Sequence, residues 1–152
     1  MRLGIVVSEV NAEFTERMLE SAKKWAASLN AEVSYILRVP GCYEAPLAVR
    51  ELLSRNDVDA VVVLGSIVKE TSLEEYLFNQ VVRKLLDLSL EYGKPVSLGI
   101  AGPGVYWDDA VRRAGAEAYA KMAVEAAIRM VKCLEKLRGI KPSNNSLEIN
   151  CI

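Results

Sequence analysis

DAVVVLGSIVKETSLEEYLFNQ, Asp59 to Gln80, joins the most continuous apolar run of the chain to a short polar turn and a helix start. Ala60-Val61-Val62-Val63-Leu64 is apolar at every position and not at alternate ones, which suits a parallel strand covered on both faces. Gly65 opens the turn, Thr71-Ser72 begin the helix, and Glu74 and Glu75 put acids in its first turn, where the helix dipole favours them. Thr71-Ser72-Leu73-Glu74 reads as a capping box, with Ser72 and Glu75 offering an alternative register one residue later. A polar turn directly after a buried strand is a common place for a ligand in a parallel sheet.

Outward from this stretch, strand and helix patterns alternate. Leu3 to Ser8 is a short buried-strand pattern, and Met18, Leu19, Ala22, Trp25, Ala26 and Leu29 recur at helical spacing between Ala12 and Leu29. Ala31 to Val39 alternates toward Pro40-Gly41, and Leu47, Ala48, Leu52 and Leu53 mark a second helix ending near Asn56-Asp57. Beyond the opening stretch, Leu77, Val81, Val82, Leu85 and Leu88 predict a long helix closing near Tyr92-Gly93, with Pro95 as a stop signal. Val96 to Ile100 is the last strand, Ala101 to Gly104 a turn, and an alanine-rich helix runs from about Trp107 to Leu137. The order predicts an α/β fold, a three-layer α/β/α sandwich on a four-stranded parallel sheet with right-handed crossovers. Its ligand side is the carboxyl end of the strands: Ser8 to Asn11, Pro40 to Glu44, Gly65 to Ser72 and Ala101 to Gly104. A sheet this small has vulnerable edges, so a partner subunit is expected to cover part of it.

Composition narrows the function. A chain of 152 residues, 51% hydrophobic, fits one domain with a substantial core. The net charge of −1 is spread without a basic block, which argues against a nucleic-acid partner. No apolar run approaches the roughly 20 residues of a membrane span, and no signal-peptide pattern precedes Leu3, so no membrane partner and a cytoplasmic location are expected. Cys42, Cys133 and Cys151 are odd in number, far apart and without a C-x-x-C pair, which favours reduced thiols over a disulfide framework or a metal site. The chain has no histidine, so proton transfer falls to carboxylates, Lys, Tyr, Cys, water or the substrate itself.

Several local features carry both a bland and a functional reading. N-caps and first-turn acids at Thr71 to Glu75 stabilise a helix without further purpose. A helix start also attracts phosphate, but Glu70, Glu74 and Glu75 would compete with an anion unless Lys69 and a distant arginine offset them. Pro40-Gly41-Cys42-Tyr43-Glu44 is a strand exit in which Gly41 is free to take an unusual backbone angle. Its Glu44 is either a helix-start acid or an acceptor for a polyhydroxylated ligand. Cys42, with no imidazole nearby, suits a buried or backbone-positioning role. Gly102-Pro103-Gly104 lacks a nucleotide-binding context, and Arg112-Arg113 reads on composition alone as surface ion pairing. Asn144-Asn145-Ser146 matches a glycosylation sequon by chance, without a secretion signal.

Taken together, the strand exits resemble those of the lumazine synthases, most closely the archaeal branch. The resemblance covers Leu3 to about Leu134 and rests on linked motifs in order: Val6-Val7-Ser8 entering Glu9-Val10-Asn11, Val39 to Ala48, Asp59 to Gly65, Asp87 to Ile100, and Arg113-Ala114-Gly115 through Ala127. It implies a flavodoxin-like domain over residues 1–138 with a C-terminal tail at 139–152. It also implies assembly into pentamers or shells of pentamers, with active sites between neighbouring subunits. The implied reaction joins 5-amino-6-ribitylaminouracil to 3,4-dihydroxy-2-butanone 4-phosphate, giving 6,7-dimethyl-8-ribityllumazine for riboflavin biosynthesis, with no cofactor. By the same resemblance Val10 and Asn11 fall where the family stacks an aromatic on the pyrimidine. Cys42, Tyr43 and Glu44 would contact the pyrimidine and ribityl chain, and Ser66, Ile67 and Val68 would present backbone to the uracil. Thr71 and Ser72 would line the phosphate end, Leu98 would pack across the interface, and Arg113 would bind phosphate.

The sequence departs from the family in the opening stretch. The turn is one residue short and lacks its glycine, Leu73 stands at the family's proton-shuttling histidine, and Glu74 is a possible substitute. Three readings stay open: a lumazine synthase working without histidine, an archaeal-type riboflavin synthase acting on two lumazines, and a non-catalytic lumazine- or flavin-binding or assembly homologue.

Overall fold

In the computed structural model the described residues are 1–68, 71–102 and 109–151, with backbone only at 109–113. The strands are β1 (Arg2–Ser8), β2 (Glu32–Val39), β3 (Ala60–Ser66) and β4 (Val96–Ala101). The helices are α1 (Ala12–Ser28), α2 (Ala45–Leu53), α3 (Leu73–Tyr92) and α4 (Asp109–Arg138), and a single 3-10 turn at Cys42–Glu44 precedes α2. All strand pairs are parallel, in the order β2-β1-β3-β4. The expected three-layer α/β architecture is therefore present, each boundary within a few residues of its sequence signal.

The unbroken apolar character of the strands follows from burial on both faces. Alternate residues of β1 and β3, Leu3, Ile5, Val7, Val62 and Leu64, pack with α1 and α4; Val6, Val61 and Val63 pack with α2 and α3. Full burial of such a side chain stabilises the fold by about 1.5–3 kcal/mol. The alanines of α4 have a steric purpose: Ala116, Ala120, Ala123 and Ala127 are buried and let the helix lie close to the sheet. At Gly99 the fit is closest, because an added Cβ would lie 2.8 Å from Leu64 Cδ2, 2.9 Å from the Val63 carbonyl oxygen and 3.1 Å from Ala123 Cβ.

Polar clamps collect at the amino ends of β1, β3 and β4. Lys94 Nζ donates to the carbonyls of Leu53 and Arg55 at 2.9 and 2.8 Å, closing the end of α2, and Arg2 N donates to Asp59 Oδ2 at 2.7 Å. The Tyr35 hydroxyl and the Arg55 guanidinium both donate to the Asp57 carboxylate, and the guanidinium lies 4.6 Å over the Tyr35 ring. Gly93 closes α3 in the left-handed region at φ 62°, as the Tyr92-Gly93-Lys94-Pro95 pattern predicts, and Arg138 donates to its carbonyl at 2.8 Å.

Two sequence expectations change. Cys133 and Cys151 form a disulfide with a Cα separation of 5.1 Å, while only Cys42 is a free, buried thiol among the described cysteines. The spacing of 18 residues gave no pairing signal, because the pair meets only when the chain folds back along α4. The capping box is also tighter than expected. Glu74 Oε2 accepts from Thr71 N at 3.0 Å and Thr71 Oγ1 at 2.8 Å, but Thr71 Oγ1 accepts from Leu73 N rather than from the helix's third residue. Ser72, next to the first helical residue, makes no side-chain capping bond.

Replacing Gly99 by alanine pushes β4 and α4 apart against backbone as well as side chains, so Gly99→Ala is expected to cost about 1–3 kcal/mol. Urea unfolding should show a lower midpoint with an unchanged slope; an unchanged midpoint would mean that the helix-to-sheet spacing is not fixed by this contact.

Candidate functional site

The exits of β1, β2 and β3 meet in a small buried knot. Ser8, the last residue of β1, is 2% exposed, and its Oγ accepts the Val10 N–H at 3.2 Å. Glu9 N donates to Val39 O at 2.8 Å, tying the β1 exit to that of β2. The chain then turns through Asn11, whose φ of 58° is tolerable for asparagine, and the Asn11 carbonyl accepts the N–H groups of Phe14 and Thr15 to start α1. Asn11 thus has a backbone role, and its side chain makes no capping bond.

From the β2 exit, Cys42 reaches across to β3. A Cβ on Gly65 would lie 2.7 Å from Cys42 Sγ and 3.4 Å from Ser8 Cβ, so only glycine admits the sulfur there. The Ser8 hydroxyl and the Ser66 backbone N–H face that sulfur, bringing three strand exits together. Burial pushes the Cys42 thiol above its ordinary value, and these two polar neighbours only partly oppose the shift. The thiol is therefore a neutral structural group, in line with the positioning role expected from a chain without imidazole.

Above this floor stands an open rim. Gly41 has an extended φ of −159°, so its value is close approach and not the unusual backbone angle that its sequence position suggests. A Cβ there would lie 3.2 Å from Glu44 Oε2 and 3.7 Å from Val10 Cγ2, which brings the predicted residues Val10 and Glu44 together. Glu44 N donates to Gly41 O at 3.2 Å, and Pro46, pre-set for a helix start, follows. Tyr43 is 76% exposed, and Val10 and Val68 are about half exposed. Apolar side chains beside a carboxylate suit a flat heterocycle with a hydroxylated substituent.

At the β3 exit, Ser66 pairs with Ala101, and Ile67 donates its N–H to the Ala101 carbonyl at 2.9 Å while its side chain is buried against α2 and α3. That N–H is committed to the sheet, so a ligand contact from Ile67 would come through its carbonyl. Lys69 and Glu70 lie outside the described residues. Thr71, Ser72 and Glu74 form the α3 start, and Leu73, its first residue, is exposed.

Leu98 stands apart from this cluster. Leu98 is exposed on β4 and pairs with Val63, at the sheet edge away from β2. Arg113 lies near the start of α4, and its side chain falls outside the described residues, as does the Pro103-Gly104 end of the last turn. Ser8 and Gly65, which the sequence places on the ligand side of the sheet without assigning them a contact, form its floor; two small residues ending neighbouring strands opposite a cysteine are the signal for it. A separate open groove of about 680 Å³ lies between α1 and α4, lined by Glu16, Glu20, Trp25 and Glu117 among others. Its Glu16 pairs with Arg38 at 2.9 Å, and its Trp25 ring is covered by Lys121 at 4.5 Å. Among the described residues no cluster of ligating side chains could hold a metal ion.

The chain is similar to known proteins over nearly its full length. The family model described as 6,7-dimethyl-8-ribityllumazine synthase matches residues 1–135. A 6,7-dimethyl-8-ribityllumazine synthase of Metallosphaera sedula is 47% identical over 150 residues, covering 98% of this chain and 96% of the relative. One of Sulfolobus acidocaldarius is 47% identical over 152 residues, covering 97% and 95%. One of Methanopyrus kandleri is 50% identical over 140 residues, covering 91% and 97%.

Burial of Cys42 has a chemical readout. In the folded protein with its disulfide intact, iodoacetamide should alkylate Cys42 about tenfold or more slowly than free cysteine at the same pH. Mass spectrometry follows the adduct; labelling at the free-cysteine rate would place the thiol on the open rim instead of in the floor.

Proposed function

The chain belongs to the 6,7-dimethyl-8-ribityllumazine synthase family, transferases of riboflavin biosynthesis, and we propose that its strand exits carry out the family's condensation without an imidazole. The observation that supports this most directly is the buried Ser8–Cys42–Gly65 floor beneath a rim of Val10, Tyr43, Val68 and Glu44. The pyrimidine of 5-amino-6-ribitylaminouracil lies against Val10 and Tyr43, its ring edge meets backbone at Ser66 to Val68, and Glu44 accepts hydrogen bonds from ribityl hydroxyls. Val10 gives less stacking surface than an aromatic would, and Tyr43 across the rim supplies part of the difference.

The chemistry asks little of a general acid or base. The substrate amine attacks the ketone of 3,4-dihydroxy-2-butanone 4-phosphate and water leaves as the imine forms; phosphate then departs, and attack of the ribitylamino nitrogen on the remaining carbonyl closes the ring with loss of a second water. Each step gains chiefly from holding two reactive molecules in register. Arg113 and the Lys69 to Ser72 turn bind the phosphate. Proton transfer falls to Glu74, whose carboxylate is held in place by both donors of Thr71. Positioned acid–base groups contribute about 10²–10⁴-fold, so loss of the histidine slows the enzyme without abolishing turnover. That the similar relatives bear the lumazine synthase name favours this reaction over the conversion of lumazine to riboflavin.

The active unit is an oligomer, a pentamer or a shell of pentamers. Tyr76, Leu86 and Leu90 are exposed on the side of α3 opposite its buried Val81 and Leu85, giving that helix two apolar faces. Leu98 is exposed on the edge strand beside them. A neighbour covering this region removes both from water and brings Leu98 to the neighbour's strand exits. Among the described residues no helix is long and apolar enough to cross a membrane, and the enzyme works in the cytoplasm.

Purified protein should accelerate lumazine formation above the spontaneous rate when given both substrates, with Glu74→Gln lowering kcat by about tenfold or more at similar KM. No acceleration at any pH would sink the enzymatic reading, and riboflavin formed from lumazine alone would favour the riboflavin synthase. Leu98→Asp should shift the assembly to smaller species in sedimentation and lose activity in parallel; a fully active, normally assembled variant would remove Leu98 from the interface.

A further inference from the structure

The last residues of the chain form a loop whose hold on α4 is covalent. Beyond Arg138 the helix closes with Gly139 N donating to Glu135 O and Ile140 N to Leu137 O. The chain then turns at Ser143 to Asn145, where Asn145 N donates to Ser143 Oγ at 3.1 Å, and comes back to Cys133. Residues 139–148 are all exposed, Ile140 and Leu147 included. Apolar burial therefore does little to offset the conformational entropy lost by ordering this segment. Its end is fixed at two points one helical turn apart: the Cys133–Cys151 bridge and Arg129 Nε, which donates to the Cys151 carbonyl at 2.6 Å. Neither cysteine is fully buried, so thiols can reach the bridge.

We propose that the segment 139–151 is a redox-operated strap, docked on α4 when Cys133 and Cys151 are joined and released when they are reduced. A small dithiol is the reductant: one thiolate attacks a bridge sulfur, forming a mixed disulfide and expelling the other cysteine as a thiolate. The second thiol of the reductant then displaces the remaining cysteine. Two electrons and two protons pass from the dithiol to Cys133 and Cys151, and the reductant leaves as a cyclic disulfide. A small-molecule disulfide such as oxidised glutathione drives the reverse. Among the described residues one exposed hydrogen bond, from Arg129, and the half-buried Ile149 remain once the bridge is open, too little to hold the returned chain. The switch is independent of the condensation: Cys133 lies 20 residues beyond Arg113 on the same helix, about 30 Å along its axis.

Hydrogen exchange read by mass spectrometry on the full-length protein tests this, before and after dithiothreitol and then after re-oxidation with glutathione disulfide. In the bridged form residues 146–151 should exchange measurably more slowly than in the reduced form. Protection up to Leu137 should stay the same in both forms and return in full on re-oxidation. Cys151→Ser should behave as the reduced form in either buffer. Because the strap lies outside the core, this variant should fold with an unchanged exchange pattern elsewhere. Equal protection in both forms would overturn the proposal by showing a segment held by packing. A bridge that resists excess dithiothreitol in the native protein, or that fails to form with glutathione disulfide, would overturn it equally.

Discussion

Two helical layers pressed onto a sheet of four strands leave almost no room for polar side chains within the strands, and this constraint organises the rest of the molecule. Ser34 on β2 and Ser97 on β4 are exceptions: the hydroxyl of each is buried and has no hydrogen-bond partner. Along β1, β3 and the rest of β4 the polar residues stand only at the strand ends. At the amino end they close on each other, with Lys94 across the end of α2 and Asp57 between Tyr35 and Arg55. At the carboxyl end Ser8, Cys42 and the Ser66 amide gather beneath an open rim on which Val10, Tyr43 and Val68 stay exposed. The position of the site is thus a result of the same packing that holds the fold.

How closely backbone can approach backbone is the finer form of that constraint. Gly99 sets the distance of α4, and Gly65 admits the Cys42 sulfur between β1 and β3. Both glycines have negative φ and are needed for lack of volume, not for conformational freedom. Left-handed backbone is taken by Gly93 and by two asparagines, Asn11 and Asn30, each with φ near 58°.

The fold was legible because the signals that announce it are local. The Val61-Val62-Val63 run, the Tyr92-Gly93-Lys94-Pro95 stop and the alanine spacing of α4 each report on their own neighbourhood. The strand exits were legible too, since topology alone sends ligands there. What stayed hidden depends on contacts between distant segments. Nothing near Cys133 shows that Cys151 returns to it, and nothing near Gly65 shows that its missing side chain makes room for Cys42. Gly41 illustrates the same limit: its sequence position suggested a special dihedral, whereas Glu44 and Val10, folded over it, explain the residue. Leu98 could be placed at an interface only through family resemblance, because exposure on an edge strand does not name what covers it.

Separation of the two polar ends bears on how such a chain can change over generations. The clamps at Lys94, Asp57 and Asp59 secure the helices without help from the turn after β3, so residues can be lost from that turn at little risk to folding. Leu73, exposed at the start of α3, can therefore vary without disturbing those contacts. A lineage can thus alter this edge of the molecule while the scaffold stays under full selection.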